Sequence, residues 1–284
     1  MSVPWMRQLW FSPYVLGVIL TLRHVIRHRR LPPLHRPVRF NDKVLHRLIF
    51  DRRPVLTQLA GKLEARTWAM TRTDNPALLV EMVGEAADAA ELAGLDLPTA
   101  FIAKANHMSG LTHIHRGPEP PDRAMLTALV ADWSARSGHA EWAYQGVKRT
   151  VVFEHLMLDG DDVPADFKLF CYAGKVHFVQ VDTGRFGDHR QDLMTAAWER
   201  MPGRTAYPPS DTAPGRPAEL AEMLAVAEQL SAGLDFIRID LYLYKGAVKL
   251  GEITVYPNRG LHWFEPAALD VALGAPWVLS PQRH

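Results

Sequence analysis

Residues 236–260, FIRIDLYLYKGAVKLGEITVYPNRG, read as two strands joined by a tight turn. Ile237, Ile239, Leu241 and Leu243 alternate with Arg238, Asp240 and Tyr242, the period-two pattern of a half-buried strand. In the second run, 247–256, Glu252 and Thr254 share a face because they lie two apart. The turn decides whether Asp240 and Glu252 meet. A two-residue loop at Lys245-Gly246 sends the carboxylates to opposite faces, since a one-residue slip inverts the alternation. A three-residue loop, Tyr244-Lys245-Gly246 with Gly246 left-handed, pairs Leu243 with Ala247. Arg238 then faces Glu252, with Asp240 diagonally beside it, and Ile237, Ile239, Leu241, Leu243, Ile253 and Val255 gather on the other side. That register separates an apolar face from a charged one, and it is the register we expect.

Two carboxylates and an arginine on one sheet face suit magnesium and phosphate, because magnesium takes one or two carboxylates and completes its shell with phosphate oxygens. A solvated sheet face with an Arg-Glu cross-strand pair reads equally well from this stretch alone.

The 284 residues suffice for one large domain or two smaller ones. A 48% hydrophobic and 22% charged composition is that of an ordinary globular chain. The net charge of +1 lacks the basic excess of a nucleic-acid binder, so no nucleic-acid partner is expected. Cys171 is the only cysteine, which excludes an intramolecular disulfide and suits a reducing, cytoplasmic setting. It lies in a strand-like run, 168–172, and reads as core rather than nucleophile. Residues 10–22 are apolar but contain Pro13 and fall short of the ~20 residues a spanning helix needs. Arg23, Arg27, Arg29 and Arg30 follow, with no small-residue cleavage site. The segment reads either as an amphipathic helix in peripheral contact with the anionic inner membrane face, or as a helix packed on its own domain with an arginine-rich outer side.

Further along, Asn41 or Asp42 is expected to cap a helix carrying Val44, Leu45, Leu48 and Ile49. Residues 56–70 read as one second helical stretch with Lys62 and Arg66 on one face. Pro76 opens a short helix. A strand over 99–103 delivers Lys104 into the polar turn Asn106-His107-Met108-Ser109-Gly110, whose backbone N–H groups can help a lysine clamp phosphate. The P-loop spacing is absent. His113 and His115 share one side of a strand without a third zinc ligand. A helix over 123–137 precedes a strand over 150–153 that ends in Glu154-His155-Leu156, and Asp159-Gly160 reads as a turn. Residues 167–172 and 175–181 form a hairpin across Ala173-Gly174. Asp182, Arg185, His189 and Arg190 follow in a loop that either grips an anionic substrate or is simply a mobile basic loop. A proline-rich connector, 205–217, leads to a helix over 218–232 stopped by Gly233.

In this order the landmarks resemble the ATP-grasp superfamily, and specifically its TupA-like branch, associated with teichuronopeptide and other surface-polysaccharide biosynthesis. The resemblance runs from about residue 11 to about residue 266. It is carried by Phe40-Asn41-Asp42-Lys43, Lys62 with Arg66, Ile102-Ala103-Lys104-Ala105-Asn106-His107, Glu141-Trp142 with Tyr144, and Phe153-Glu154-His155-Leu156. Asp166-Phe167-Lys168-Leu169-Phe170, Val181-Asp182 with Arg185-Phe186, His189-Arg190, Arg238-Ile239-Asp240-Leu241-Tyr242 and Gly251-Glu252-Ile253-Thr254 continue it. The resemblance implies an α+β fold with two α+β lobes clasping a nucleotide. A helical N-terminal portion, 1–95, would precede the ATP-grasp region, 96–284, with the lobe boundary near 154–160.

Carried over by residue, it implies ATP as cofactor, with Lys62, Lys104 and Ser109 at the phosphates and Glu154, His155 and Leu156 as the hinge that reads adenine. Asp240 and Glu252 would hold Mg2+, with Thr254 where many relatives use a metal-binding asparagine. Arg238 and Arg185 would act catalytically, Arg238 near the transferred phosphoryl group. His189, Arg190 and Arg259 would face an acidic substrate. The implied reaction activates a carboxylate of a small molecule or saccharide as an acyl phosphate, which an amine then attacks. Two loops depart from the family pattern: Met108 and Leu111 replace glycines of N-H-G-S-G-G, and Pro257-Asn258-Arg259-Gly260 stands for P-G-S-G. Those departures keep a second reading open, a non-catalytic binding subunit of a polysaccharide-assembly complex. A glycosyltransferase-like enzyme ranks last, since no clear D-x-D motif is present.

Overall fold

The computed structural model describes residues 13–137, 141–158, 163–184 and 187–280. The expected Asp159-Gly160 turn and Arg185 lie outside the described residues.

Two antiparallel sheets carry the fold. The first has the order β1-β4-β2-β3, from β1 (Met82–Ala86), β2 (Ala100–Ala105), β3 (Thr112–Arg116) and β4 (Val151–His155). The second has the order β7-β6-β5-β8-β9, from β5 (Asp166–Tyr172), β6 (Lys175–Thr183), β7 (Arg190–Thr195), β8 (Phe236–Tyr244) and β9 (Ala247–Thr254). The chain leaves the first sheet after His155 and enters the second at Asp166. With its helices this is the expected α+β class. The stretch before residue 95 supplies β1 as well as helices.

Each sheet has its own core. Ala86, Phe101, Ala103 and Phe153 pack on Leu126 and Val130 of α6 (Arg123–Ala135), while α5 (Ala89–Ala93) adds Leu92. The larger core joins the second sheet to α2 (Phe40–Phe50), α7 (Leu220–Ser231) and α8 (Ala267–Gly274). Along α7 the buried residues Leu220, Met223, Ala227 and Leu230 recur at helical spacing, and Gly233, at φ 80°, ends the run. Phe236 stacks on Trp277 at 4.3 Å, and Phe40 meets Phe236 edge-on at 5.4 Å.

Three local expectations change. Asn41 and Asp42 do not cap α2. The cap position is Arg39, and both residues are buried within the first turn. The Asn41 amide donates to the His262 carbonyl (3.1 Å) and accepts from the His262 N–H (2.9 Å), while Asp42 takes both Arg30 nitrogens (3.0 and 2.6 Å). Their polarity serves tertiary contacts, which outweigh the capping preference. The single helical stretch over 56–70 is two helices, α3 (Pro54–Ala60) and α4 (Lys62–Met70), broken at Gly61. Gly61 is extended (φ −73°, ψ 142°), and a Cβ there would lie 2.6 Å from Val147 Cγ1.

The β8–β9 turn has two residues, not three. Lys245 (φ 52°) and Gly246 (φ 72°) form it, and Tyr244 pairs with Ala247. Two left-handed residues match the twist of the flanking strands. The register holds to Leu241 opposite Leu250, then slips so that Asp240 faces Glu252 and Arg238 faces Thr254. Gly251 is the extra residue of a β-bulge. The bulge undoes the face inversion that a two-residue loop imposes. The segregation of charged from apolar faces therefore stands, with different cross-strand partners.

Candidate active site

One wall of the site comes from the first sheet and the start of α4. Buried Asn106 fixes the loop after β2. Its Oδ1 accepts from the Leu63 N–H (2.9 Å), and its amide donates to Glu64 (3.1 Å) and to the Lys148 carbonyl (2.9 Å). That anchor brings Lys62 over the loop, where its ammonium donates to the carbonyls of Ala105 (2.7 Å) and Met108 (3.1 Å). Burial pushes the Lys62 pKa down, with Glu252 opposing and Lys104 adding. On the neighbouring strands Lys104 reaches Glu154 at 2.7 Å, and Arg66 reaches the other oxygen of that carboxylate at 3.1 Å. Glu154 thus gathers a cation from β2 and one from α4. Beyond it the backbone N–H groups of His155 and Leu156 donate to the carbonyls of Glu81 (3.0 Å) and Ala100 (3.4 Å).

The facing wall is the charged side of the second sheet. Arg238 grips Asp240 through two parallel bonds, Nε to Oδ1 (2.7 Å) and Nη2 to Oδ2 (2.6 Å), and Nη2 also donates to the Thr254 hydroxyl (3.0 Å). Burial pushes the Asp240 carboxyl up to about 6, against the pull of Arg238 and with Asp166 adding to the rise. Next to this pair, Lys168 bridges Asp166 and Asp182, the latter at 2.6 Å. Burial alone would raise the Asp182 pKa, but the Lys168 ammonium holds it below the usual carboxylate range. Asp240 lies opposite Lys168 across β8–β5 and opposite Glu252 across β8–β9, so these three charges line one row of the sheet.

Between these walls lies a cavity of about 660 Å³. Lys62, Lys104, Glu154, His155, Leu156, Arg238, Asp240 and Glu252 line it, all singled out from the sequence. Asp166 and Lys168 line it as well, and the sequence reading gave them no role. Their signal was there: they alternate with apolar residues in β5 as Arg238 and Asp240 do in β8. Arg66 and Asn106 act one contact further out.

The other described sequence candidates lie outside this lining. Thr254 reaches it only through Arg238. Ser109 donates to Glu141 (3.1 Å), whose other close neighbour is Arg259 (3.5 Å). Burial raises the Glu141 pKa, against the pull of Arg259. His189 lies against Tyr207 with the ring centroids 3.7 Å apart and the planes tilted by 30°, and Arg190 pairs with Asp188 at 2.8 Å. His113 and His115 both lie against Phe101, their ring centroids 6.5 and 5.1 Å away. Among the described residues no three His, Cys, Asp or Glu side chains converge as a metal cage. Asp240 and Glu252 supply two carboxylates, which fits a magnesium ion whose remaining ligands come from phosphate and water.

A family model described as TupA-like ATPgrasp matches residues 51–278. No curated protein matches the chain. Among solved structures, the chain is similar to phosphoribosylamine–glycine ligase from Thermotoga maritima (12% identity, TM-score 0.48, 76% of this chain and 55% of that one). It is similar to D-alanine–D-alanine ligase from Bacillus anthracis complexed with ATP (13%, 0.41, 71% and 55%). It is also similar to N5-carboxyaminoimidazole synthase from Aspergillus clavatus in complex with ADP and 5-aminoimidazole ribonucleotide (10%, 0.42, 70% and 44%). The chain spans about half the length of these three structures.

Proposed function

The chain belongs to the TupA-like ATP-grasp family, and on that premise we propose that it is a magnesium- and ATP-dependent carboxylate–amine ligase. Its carboxylate would be carried by a small molecule, saccharide or peptide precursor of a surface polymer. The observation that supports this most is the convergence of Lys62 and Lys104 from one wall and Arg238, Asp240 and Glu252 from the other on one cavity.

In this reading the substrate carboxylate oxygen takes the γ-phosphoryl group of ATP and ADP leaves. The amine then attacks the acyl carbon, inorganic phosphate departs, and the nitrogen loses a proton. Such chemistry needs positioning and charge neutralisation rather than a protein nucleophile. Lys62 and Lys104 would hold the phosphates, Glu154 to Leu156 would border the base, and Asp240 with Glu252 would hold magnesium. The metal, once bound, would offset phosphate charge. Arg238 would act at the transferred phosphoryl group. Its bidentate hold on Asp240 must then loosen, so the ligand site and the arginine are coupled. Lys62 must likewise give up the carbonyls of Ala105 and Met108.

A second reading, a non-catalytic binding subunit, has its own support. Met108 and Leu111 are packed against the smaller core, so the loop that would need open glycines is tied down by side chains.

Thermal melts with ATP, with and without magnesium, followed by an ADP-release assay, separate the two. Ligand at about 100-fold over its Kd adds roughly 2.7 kcal/mol, which for a chain of this size is a rise of about 5–10 °C. Ligase activity predicts a magnesium-dependent rise together with amine-dependent ADP release, both lost in Glu252→Gln. A rise without turnover against any carboxylate–amine pair favours the binding subunit. No rise at millimolar ATP rejects the nucleotide site itself.

A further inference from the structure

The first helix, α1 (Pro13–His28), packs on α2 through Leu16, Leu20 and His24, all buried. His24 Nε2 lies 3.0 Å from Asp42, which fixes the helix in register. The opposite side is also apolar. Val15, Val18, Leu22 and Ile26 recur at spacings of three and four, a single helical stripe, and they stand 37%, 60%, 55% and 78% exposed. Leu31, just past the helix, is 79% exposed, and Val38 is 55% exposed. An isolated exposed leucine needs no explanation, but a continuous stripe of this kind marks an interaction surface.

Charge identifies its partner. Residues 1–41 contain seven arginines and no aspartate or glutamate. The whole chain carries +1, so the remaining 243 residues carry −6. Arg30 is spent on Asp42, Arg39 on the Ala267 carbonyl and the Arg27 Nε on the Leu261 carbonyl (3.2 Å). Arg23, Arg29 and Arg36 are exposed on the same segment. A body of net negative charge thus presents a basic, apolar face here. No described helix is long and apolar enough to cross a membrane.

We infer that the α1 face docks on an anionic lipid bilayer. Val18, Leu22, Ile26 and Leu31 enter the headgroup–acyl boundary and Arg23, Arg29 and Arg36 meet lipid phosphates, while α1 stays packed on α2. A partly buried apolar stripe with flanking cations is the recipe for interfacial binding without spanning. The acidic remainder, repelled by the same surface, orients the molecule with α1 down. The inference stands independently of the ligase reading.

The test uses the full chain with vesicles of phosphatidylcholine alone, or mixed with phosphatidylglycerol, read by co-sedimentation. The chain should partition onto the anionic vesicles only, and salt should weaken it. The pair Arg23→Gln/Arg36→Gln should lose partitioning by about fivefold per arginine. The pair Leu22→Glu/Ile26→Glu should abolish it while the melting temperature stays that of the parent, since both positions are exposed. Should that pair fail to fold, the parent's response to vesicle composition and salt decides alone. Failure of the parent to bind anionic vesicles overturns the inference. So does equal binding to both vesicle types, or a dimer in sedimentation that the glutamate pair dissociates without any vesicle binding, which would make the face a protein contact.

Discussion

Substituting Gly251→Ala tests whether the bulge in β9 is what aligns the two carboxylates. The backbone at Gly251 is not left-handed, so alanine meets no intrinsic φ penalty there. Its Cβ would sit 2.3 Å from Tyr242 Cε2 and 3.0 Å from Cδ2, well inside van der Waals contact. Either the ring swings or the hairpin opens. Overpacking of this kind costs about 1–3 kcal/mol, while loss of glycine's freedom in the unfolded chain returns about 0.4–1 kcal/mol. The net loss should be about 1–2 kcal/mol, a fall in Tm of about 2–8 °C for a chain of this size. Tyr242 lines the cavity and Glu252 follows Gly251 directly, so the strain falls on the carboxylate. A displacement of an ångström can cost about 100-fold in rate, and the ATP turnover proposed above should fall by about 10–100-fold. The assay is a urea or thermal melt of the single variants and of Gly251→Ala combined with Tyr242→Ala. Removing the ring should erase the alanine penalty, a coupling of about 1–2 kcal/mol between contacting residues. An unchanged Tm in Gly251→Ala, or the same penalty with Tyr242 absent, would refute the bulge argument.

Asp235 joins the end of α7 to the core. Its carboxylate accepts from Arg47 (2.7 Å), Arg53 (2.8 Å) and the Trp277 indole (3.2 Å). Asp235→Asn should cost about 3 kcal/mol, because it takes the nearest carboxylate from buried Arg47 and leaves it only Asp51 at 3.7 Å as a charged partner. Burial works to raise the Asp235 pKa, yet Arg47 and Arg53 hold it well below the usual range. Its contribution is therefore complete above the unfolded value near ~4 and is lost as pH falls through the folded value. Melts from neutral to acid pH should steepen in the parent below about pH 4 and flatten in Asp235→Asn; parallel curves would contradict the assignment. Burial pushes the lone Cys171 thiol up to about 12. Iodoacetamide at mildly alkaline pH should leave the native chain unmodified and alkylate it once in urea; ready labelling of the native chain would show the strand is not buried as described.

How much of this was legible in the sequence depends on whether a feature is set within one element or between elements. The apolar alternation of β8, the Ala173-Gly174 turn and the inward face of α7 follow from local spacing, and all hold. Lys104, Glu154, Arg238, Asp240 and Glu252 each sit on strands whose alternation is readable, and the structure brings all five onto one cavity. The register of the β8–β9 hairpin failed by one residue. The face argument was sound, but it has two solutions, a longer turn or a bulge, and only the glycine at 251 distinguishes them. A glycine inside a strand is itself a bulge signal, so the information was present. Asn41 and Asp42 misled for a different reason: capping propensity is local, whereas the partners that claim these side chains, His262 and Arg30, are set by the tertiary fold. Lys168 carries the same point into the site. Its period-two position predicts a face, yet its value depends on Asp182 and Asp240 standing on either side, and strand order is not written in any one strand. The cross-strand run Gln180, Lys168, Asp240 and Glu252 over β6, β5, β8 and β9 is a property of topology, and substitutions that reverse one of its charges should be felt at the others.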